Sequence, residues 1–101
     1  MDENQKYWHR IQVFVQERFG MKGDVWDIIY LIGIQELGYG FQQLDQAAKT
    51  KVINFASMYL MNFMDPHQRR ELKREYEDEE ELEEQFYRQA IIRYFTTKKI
   101  L

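Results

Sequence analysis

Apolar residues recur along this chain at the spacing that places them on one side of an α-helix. The first apolar stripe consists of Tyr7, Trp8, Ile11, Phe14, Val15 and Phe19. Gly20 follows the stripe, and glycine suits the left-handed conformation in which many helices end. The pattern predicts a first helix over about residues 5–19.

A second helix is predicted over residues 24–37, and its apolar residues surround the helix axis. Asp24 can cap its first turn and Gly38 can end it. A helix that is apolar all round is expected to be buried. Gly33 lies inside it, where glycine costs about 1 kcal/mol relative to alanine. We therefore expect a neighbouring helix to approach closely at Gly33.

A third helix is predicted over residues 44–64, after a loop at residues 38–41. Its apolar arc includes Val52, Phe55, Ala56, Tyr59 and Leu60. The third helix also carries Met58, Met61 and Met64, which we interpret as adaptable core residues, because the unbranched thioether side chain fills irregular gaps.

The helical pattern of the last third begins at Asp65 and Pro66, a good N-cap followed by a residue favoured in the first turn. The pattern could continue to residue 97, but no apolar residue lies between Tyr76 and Leu82. Either one long helix protrudes there, or it breaks and restarts with Asp78 and Glu81 as a capping pair. A break gives helices over 66–76 and 79–97.

These elements predict an all-α fold, a compact bundle of four to five helices in a single domain over residues 1–101. We expect a helix content above about 70% and no sheet. The predicted helices cover about residues 5–19, 24–37, 44–64, 66–76 and 79–97.

Composition excludes several classes of function. Cysteine is absent, which excludes disulfides, thiolate catalysis and cysteine-bound metals. The net charge of −3 does not suggest nucleic-acid binding. The longest apolar run, residues 28–34, is far shorter than the roughly 20 residues of a membrane span. With a polar, acidic beginning and no signal-peptide pattern, we expect a cytoplasmic protein with no membrane partner.

Catalytic motifs are also scarce. His9 and His67 have no second histidine and no Glu-x-x-His partner at helical spacing, so we expect no metal site. The single serine, Ser57, suggests no catalytic triad, and the glycines form no phosphate-binding loop. These absences argue against an enzyme without deciding the question, and we expect no cofactor.

Glu36 departs from the pattern of a purely structural helix. It lies within an apolar arc of the second helix and in the last turn, where a carboxylate opposes the helix dipole. If consecutive helices form hairpins, Tyr7 and Lys49 come near Glu36 and could bind its carboxylate. Alternatively, the carboxylate turns into water at the helix end. The candidate pocket is Tyr7, Gln35, Glu36 and Lys49.

Arg18 interrupts the apolar stripe of the first helix. The same hairpin places it opposite Asp24 and Asp27, so an ion pair that holds the turn is one interpretation. An exposed guanidinium at the rim of a pocket is the other.

Charges are segregated in the last third of the chain. A basic block is followed by eight acids and no base over residues 75–84, and basic residues return after it. The early basic block is badly placed for the dipole of one long helix. The charges either form a solvated face with pairs such as Glu84 with Arg88, or a docking surface. The candidate interaction surface is Arg69, Arg70, Lys73, Arg74, Glu79, Glu80 and Glu83.

Residues 29–38, Ile-Tyr-Leu-Ile-Gly-Ile-Gln-Glu-Leu-Gly, together with residues 49–56, resemble a family of small bacterial helical proteins. The shared feature is a Leu-Ile-Gly-x-Gln-Glu-Leu-Gly helix before a helix with a lysine-rich start. The family has no established activity, so the resemblance implies a bacterial helical protein but no function. Where the family pattern has a histidine, this chain has Asn54, so a role for that imidazole does not transfer.

Two functional hypotheses follow. The first is a non-enzymatic helical interaction module that docks a protein partner or a second copy of itself as a homodimer. The second is a small-molecule binding or catalytic protein with a polar pocket around Gln35, Glu36 and Tyr7. The first predicts an exposed apolar or charge-blocked patch, and the second predicts a concave pocket at Glu36.

Overall fold

A computed structural model describes residues 2–40 and 44–101 of this chain. Within these ranges it contains five α-helices, one short 3-10 helix and no strand, and 79% of the residues are helical. The all-α bundle is therefore confirmed; of the predicted 38–41 loop, residue 41 lies outside the described ranges. The α-helices are α1 (Glu3–Phe19), α2 (Val25–Leu37), α3 (Gln46–Leu60), α4 (Pro66–Glu75) and α5 (Glu79–Thr97), and the 3-10 helix is Met61–Phe63.

Every α-helix begins at an aspartate whose carboxylate accepts a hydrogen bond from a backbone amide of the first turn, at 2.8–2.9 Å. Each such cap stabilises its helix by about 1 kcal/mol. The sequence pattern predicted the caps at Asp24, Asp65 and Asp78 but not those at Asp2 and Asp45. The five are Asp2, Asp24, Asp45, Asp65 and Asp78.

The predicted break in the last third is confirmed. Helix α4 ends at Tyr76, whose backbone is extended, and α5 starts after Asp78. Asp78 accepts from the amide of Glu80, not in the predicted pairing with Glu81. The expectation that the basic block is badly placed for the helix dipole is therefore wrong for two of its residues. Lys73 and Arg74 lie in the last turn of α4, where positive charge stabilises the helix.

Helix α2 is the centre of the core, as predicted. Ile28 and Ile29 have no exposed surface, and Ile32 is buried. Helix α2 packs against α3 and α5, whereas α1 packs mainly on α5. The expected hairpin of α1 and α2 is therefore wrong. Not every apolar residue of this helix is buried, because Trp26 is half exposed.

The predicted close approach at Gly33 is confirmed. A Cβ atom added to Gly33 would lie 2.6 Å from a methyl carbon of Val52, 2.8 Å from the Val52 carbonyl oxygen and 3.2 Å from Cβ of Ala56. The Val52 methyl could rotate away, but its carbonyl belongs to the backbone of α3. Any larger residue at position 33 therefore has to move α3 away from α2.

We expect Gly33→Ala to lower the free energy of unfolding by about 1–3 kcal/mol, because overpacking exceeds the gain in helix propensity. Chemical denaturation measures the change. The matched control is Gly40→Ala, since nothing lies within 4 Å of a Cβ added there. If Gly33→Ala were neutral or stabilising, the helices would not be in contact at this point.

Candidate functional site

Glu36, in the last turn of α2, is tied to the end of α5. The Tyr94 hydroxyl donates a hydrogen bond to Oε1 of Glu36 at 2.7 Å. Nζ of Lys98 lies 3.7 Å from the same oxygen, and 20% of the Glu36 side chain is exposed. Of the two alternatives for Glu36, the structure shows the one in which the carboxylate is partly buried and hydrogen-bonded, but neither Tyr7 nor Lys49 is its partner.

Tyr7 lies elsewhere because α1 packs mainly on α5, and Lys49 lies elsewhere because the contact of α3 with α2 places it beside Tyr30. The Tyr7 hydroxyl donates to the carbonyl oxygen of Leu101 at 3.4 Å. Nζ of Lys49 lies 5.2 Å from the ring centroid of Tyr30. Gln35 and Glu36 remain neighbours on α2, so the four residues of the candidate pocket do not form one site.

Tyr94 and Lys98 stabilise the charge of Glu36 at the end of α2. A carboxylate at a helix C-terminus opposes the helix dipole, and the ammonium of Lys98 and the hydroxyl dipole of Tyr94 offset that repulsion. Burial raises the pKa of Tyr94, and the hydrogen bond to Glu36 and its charge raise this pKa further. The hydroxyl therefore stays protonated and remains a donor.

A groove of about 370 Å³ lies beside this contact, between α1, α2 and α5. Arg18 lines the groove, exposed, with its guanidinium carbon 5.8 Å from the ring centroid of Phe14. Among the described residues Arg18 makes no ion pair with Asp24 or Asp27, so the pocket-rim interpretation fits and the ion pair does not form. The lining residues are Phe14, Val15, Arg18, Phe19, Leu31, Ile32, Gln35, Tyr94, Phe95 and Ile100.

The charged candidate surface lies on α4 and the first half of α5. Arg70, Lys73, Arg74, Glu79, Glu80 and Glu83 are exposed and Arg69 is half-buried. Within the described ranges no ion pair joins the bases of α4 to the acids of α5; the pairs that form there are His67 with Glu71 at 3.3 Å and the predicted Glu84 with Arg88 at 3.5 Å.

Arg69 and Glu83 differ from the other charges because both line a second groove, of about 300 Å³. The guanidinium carbon of Arg69 lies 4.9 Å from the ring centroid of Phe86, at the bottom of that groove. The remaining lining residues are Met61, Met64, Asp65 and Pro66.

Met61, which lines this second groove, is one of several large apolar side chains that are exposed. The exposed fraction is 71% for Met58, 47% for Met61 and 46% for Trp26. Only Met64 is buried, so the interpretation of all three methionines as core residues is wrong for Met58 and Met61. The α-helical spacing is the same for a buried and an exposed apolar residue, so the pattern alone could not separate them.

Tyr87 connects Trp26 to the groove. The two rings lie 5.8 Å apart, and the ring of Phe86 lies 5.4 Å from that of Tyr87. Burial raises the pKa of Tyr87, whose hydroxyl also interacts with Ser57 and with the charges of Glu83 and Arg69. Tyr87 therefore links Trp26 of α2 to a residue of the second groove. Met58 is exposed in α3, three residues before Met61. We call this group of residues the methionine face: Trp26, Met58, Met61, Arg69, Glu83 and Phe86.

Comparisons with known proteins add no assignment. No family model, no curated protein and no solved structure matches this chain. The resemblance of residues 29–56 to small bacterial proteins therefore stays a prediction. In the part of the chain that the structure describes, no cluster of three or more metal-ligating side chains forms, and no helix is long and apolar enough to cross a membrane.

We expect Glu36→Ala and Tyr94→Phe each to lower the free energy of unfolding by about 1–3 kcal/mol, because each leaves the other group without its partner. The double variant should lose less than the sum, with a coupling of about 1–2 kcal/mol. Urea unfolding of the four proteins measures it. Glu17→Ala, an exposed change on α1, is the control. Additive losses would show that the contact contributes nothing.

Stability should also fall in alkali because of Tyr94. Its pKa is raised in the folded state above the ordinary value of 10.0, so the unfolded chain loses this proton first. The ionisation of Tyr94 therefore has no effect on stability well below pH 10, and it lowers the free energy of unfolding as the pH rises above that value. Urea unfolding at increasing pH should show a shallower alkaline loss for Tyr94→Phe than for the unmodified chain; equal slopes would contradict the prediction.

Proposed function

We propose that this chain is a non-enzymatic helical interaction module that pairs with a second copy of itself through the methionine face. The observation that carries the proposal is the exposure of Trp26, Met58 and Met61, the last of which lines a groove together with Arg69 and Glu83. Contiguous exposed apolar surface is typical of a protein–protein contact. The cytoplasmic setting that we also propose is supported by the absence of cysteine, which fits a reducing compartment.

The types of residue on the methionine face support this function. Aromatic residues, methionine and arginine are enriched at protein interfaces relative to the rest of protein surfaces. Methionine side chains are flexible and polarisable, so they adapt to an opposing surface. Arg69 is already stacked on Phe86, which reduces the freedom it would lose on binding.

The charges of the face favour a second copy over an unrelated partner. In a twofold symmetric dimer the same patch meets itself, so the patch must be complementary to its own rotated image. Arg69 and Glu83 line one groove without forming an ion pair with each other. A twofold rotation can place Arg69 of each copy against Glu83 of the other, with the apolar residues between the two contacts.

Exchanging these charges tests the proposal. Arg69→Glu and Glu83→Arg should each weaken the homodimer about tenfold or more, because both symmetric contacts become repulsive. An equimolar mixture of the two variants should dimerise again, because every contact in the mixed dimer joins opposite charges. Analytical ultracentrifugation over a range of concentrations measures all three samples, and added salt should reduce the differences between them.

The controls are Lys6→Glu and Glu17→Arg, which reverse the same charges at exposed positions of α1. They should dimerise like the unmodified chain. An unmodified chain that stays monomeric at every concentration would exclude self-pairing. A dimer that the variants do not affect, or a mixture that fails to recover, would show that the interface lies elsewhere.

A further inference from the structure

The groove between α1, α2 and α5 does not belong to the methionine face, and its walls are mostly hydrocarbon. Aromatic rings line it from two helices, Phe14 and Phe19 of α1 and Phe95 of α5. Leu31 and Ile32 of α2 form the opposite wall. Its volume of about 370 Å³ is within the usual range for small-molecule sites, roughly 300–1,000 Å³.

The C-terminal tail lines the same groove. Lys99 has a positive φ of 56°, which turns the chain back after α5. The Ile100 amide then donates to the Phe95 carbonyl oxygen at 3.1 Å. As a result Ile100 joins the lining, and the apolar surface continues beyond the end of α5.

Arg18 supplies the polar end of the groove. Its guanidinium lies over Phe14, on the groove side, and no carboxylate of the described residues pairs with it. Nearby, the charge of Glu36 is offset by Lys98 at 3.7 Å, and its Oε1 accepts from Tyr94. The groove therefore presents a cation that no described carboxylate pairs with, and the nearby carboxylate of Glu36 already has partners.

From this arrangement we propose that the groove binds an elongated apolar carboxylate, of the fatty-acid class. Its hydrocarbon chain lies along the rings and aliphatic side chains, and its carboxylate meets the Arg18 guanidinium in the two-pronged geometry that arginine forms with carboxylates. Gln35, at the α2 side, can donate its amide to the same head group. The site involves no residue of the methionine face, so either proposal can fail without the other.

Calorimetric titration with decanoate and with decanol, which has the same chain without the carboxylate, tests the proposal. We expect saturable binding of one decanoate per chain below its micelle concentration, and a preference over decanol of about tenfold or more. Arg18→Gln should remove that preference while decanol affinity stays unchanged. Lys22→Gln is the matched control, because it removes an exposed positive charge that does not line the groove.

A second variant locates the hydrocarbon chain. Leu31→Trp places a bulky indole ring in the groove and should abolish binding of both probes. A cooperative thermal transition would confirm that the variant is folded. Three results would overturn the proposal: no saturable binding of decanoate, equal affinity of the unmodified chain for the two probes, or unchanged decanoate affinity in Arg18→Gln. Binding that persists in a folded Leu31→Trp variant would also overturn it, by placing the ligand outside this groove.

Discussion

The rest of the structure depends on the contact of α2 with α3 at Gly33, where a Cβ atom would lie 2.8 Å from the Val52 carbonyl oxygen. Because α2 is apolar on all sides, it needs a neighbour on each of them. Helix α3 crosses α2 closely at Gly33, and α5 packs on another side of α2. Helix α5 then lies along α2, and α1 packs on α5. That order of neighbours places Tyr94 beside Glu36 and leaves a groove where α1 and α2 do not close on each other.

Helix ends explain most of the segregated charge. The break between α4 and α5 creates a C-terminus at Lys73 and Arg74 and an N-terminus at Glu79 and Glu80, and each sign stabilises the end at which it lies. These charges therefore have a structural reason to be where they are. Arg69 and Glu83 do not share it, because they lie away from those ends and line a groove. Of the seven charged residues of the candidate surface, three are not explained by helix ends: Arg69, Arg70 and Glu83. Arg70 does not line the groove, so the docking hypothesis rests on Arg69 and Glu83.

The sequence predicted what depends on local spacing and could not predict what depends on the neighbours of each helix. The five helices, the break after α4 and the burial of Gly33 all follow from periodicity, capping and the cost of glycine. The burial of Glu36 followed from its position on the helix wheel. Its partner did not, because Tyr94 lies 58 residues further along the chain and reaches Glu36 only through the packing of α5 on α2.

The sequence did not predict the methionine face, because helical spacing does not show which apolar residues a neighbouring helix covers. Met58 in α3 and Met61 in the 3-10 helix that follows it remain exposed. Trp26 is held at one edge by the ring of Tyr87, which in turn packs on Phe86. A fixed aromatic residue loses little freedom on binding, while mobile methionine side chains can adapt to the opposing surface. This combination of an aromatic ring, adaptable methionines and one charge of each sign is the physical basis of the association proposed above.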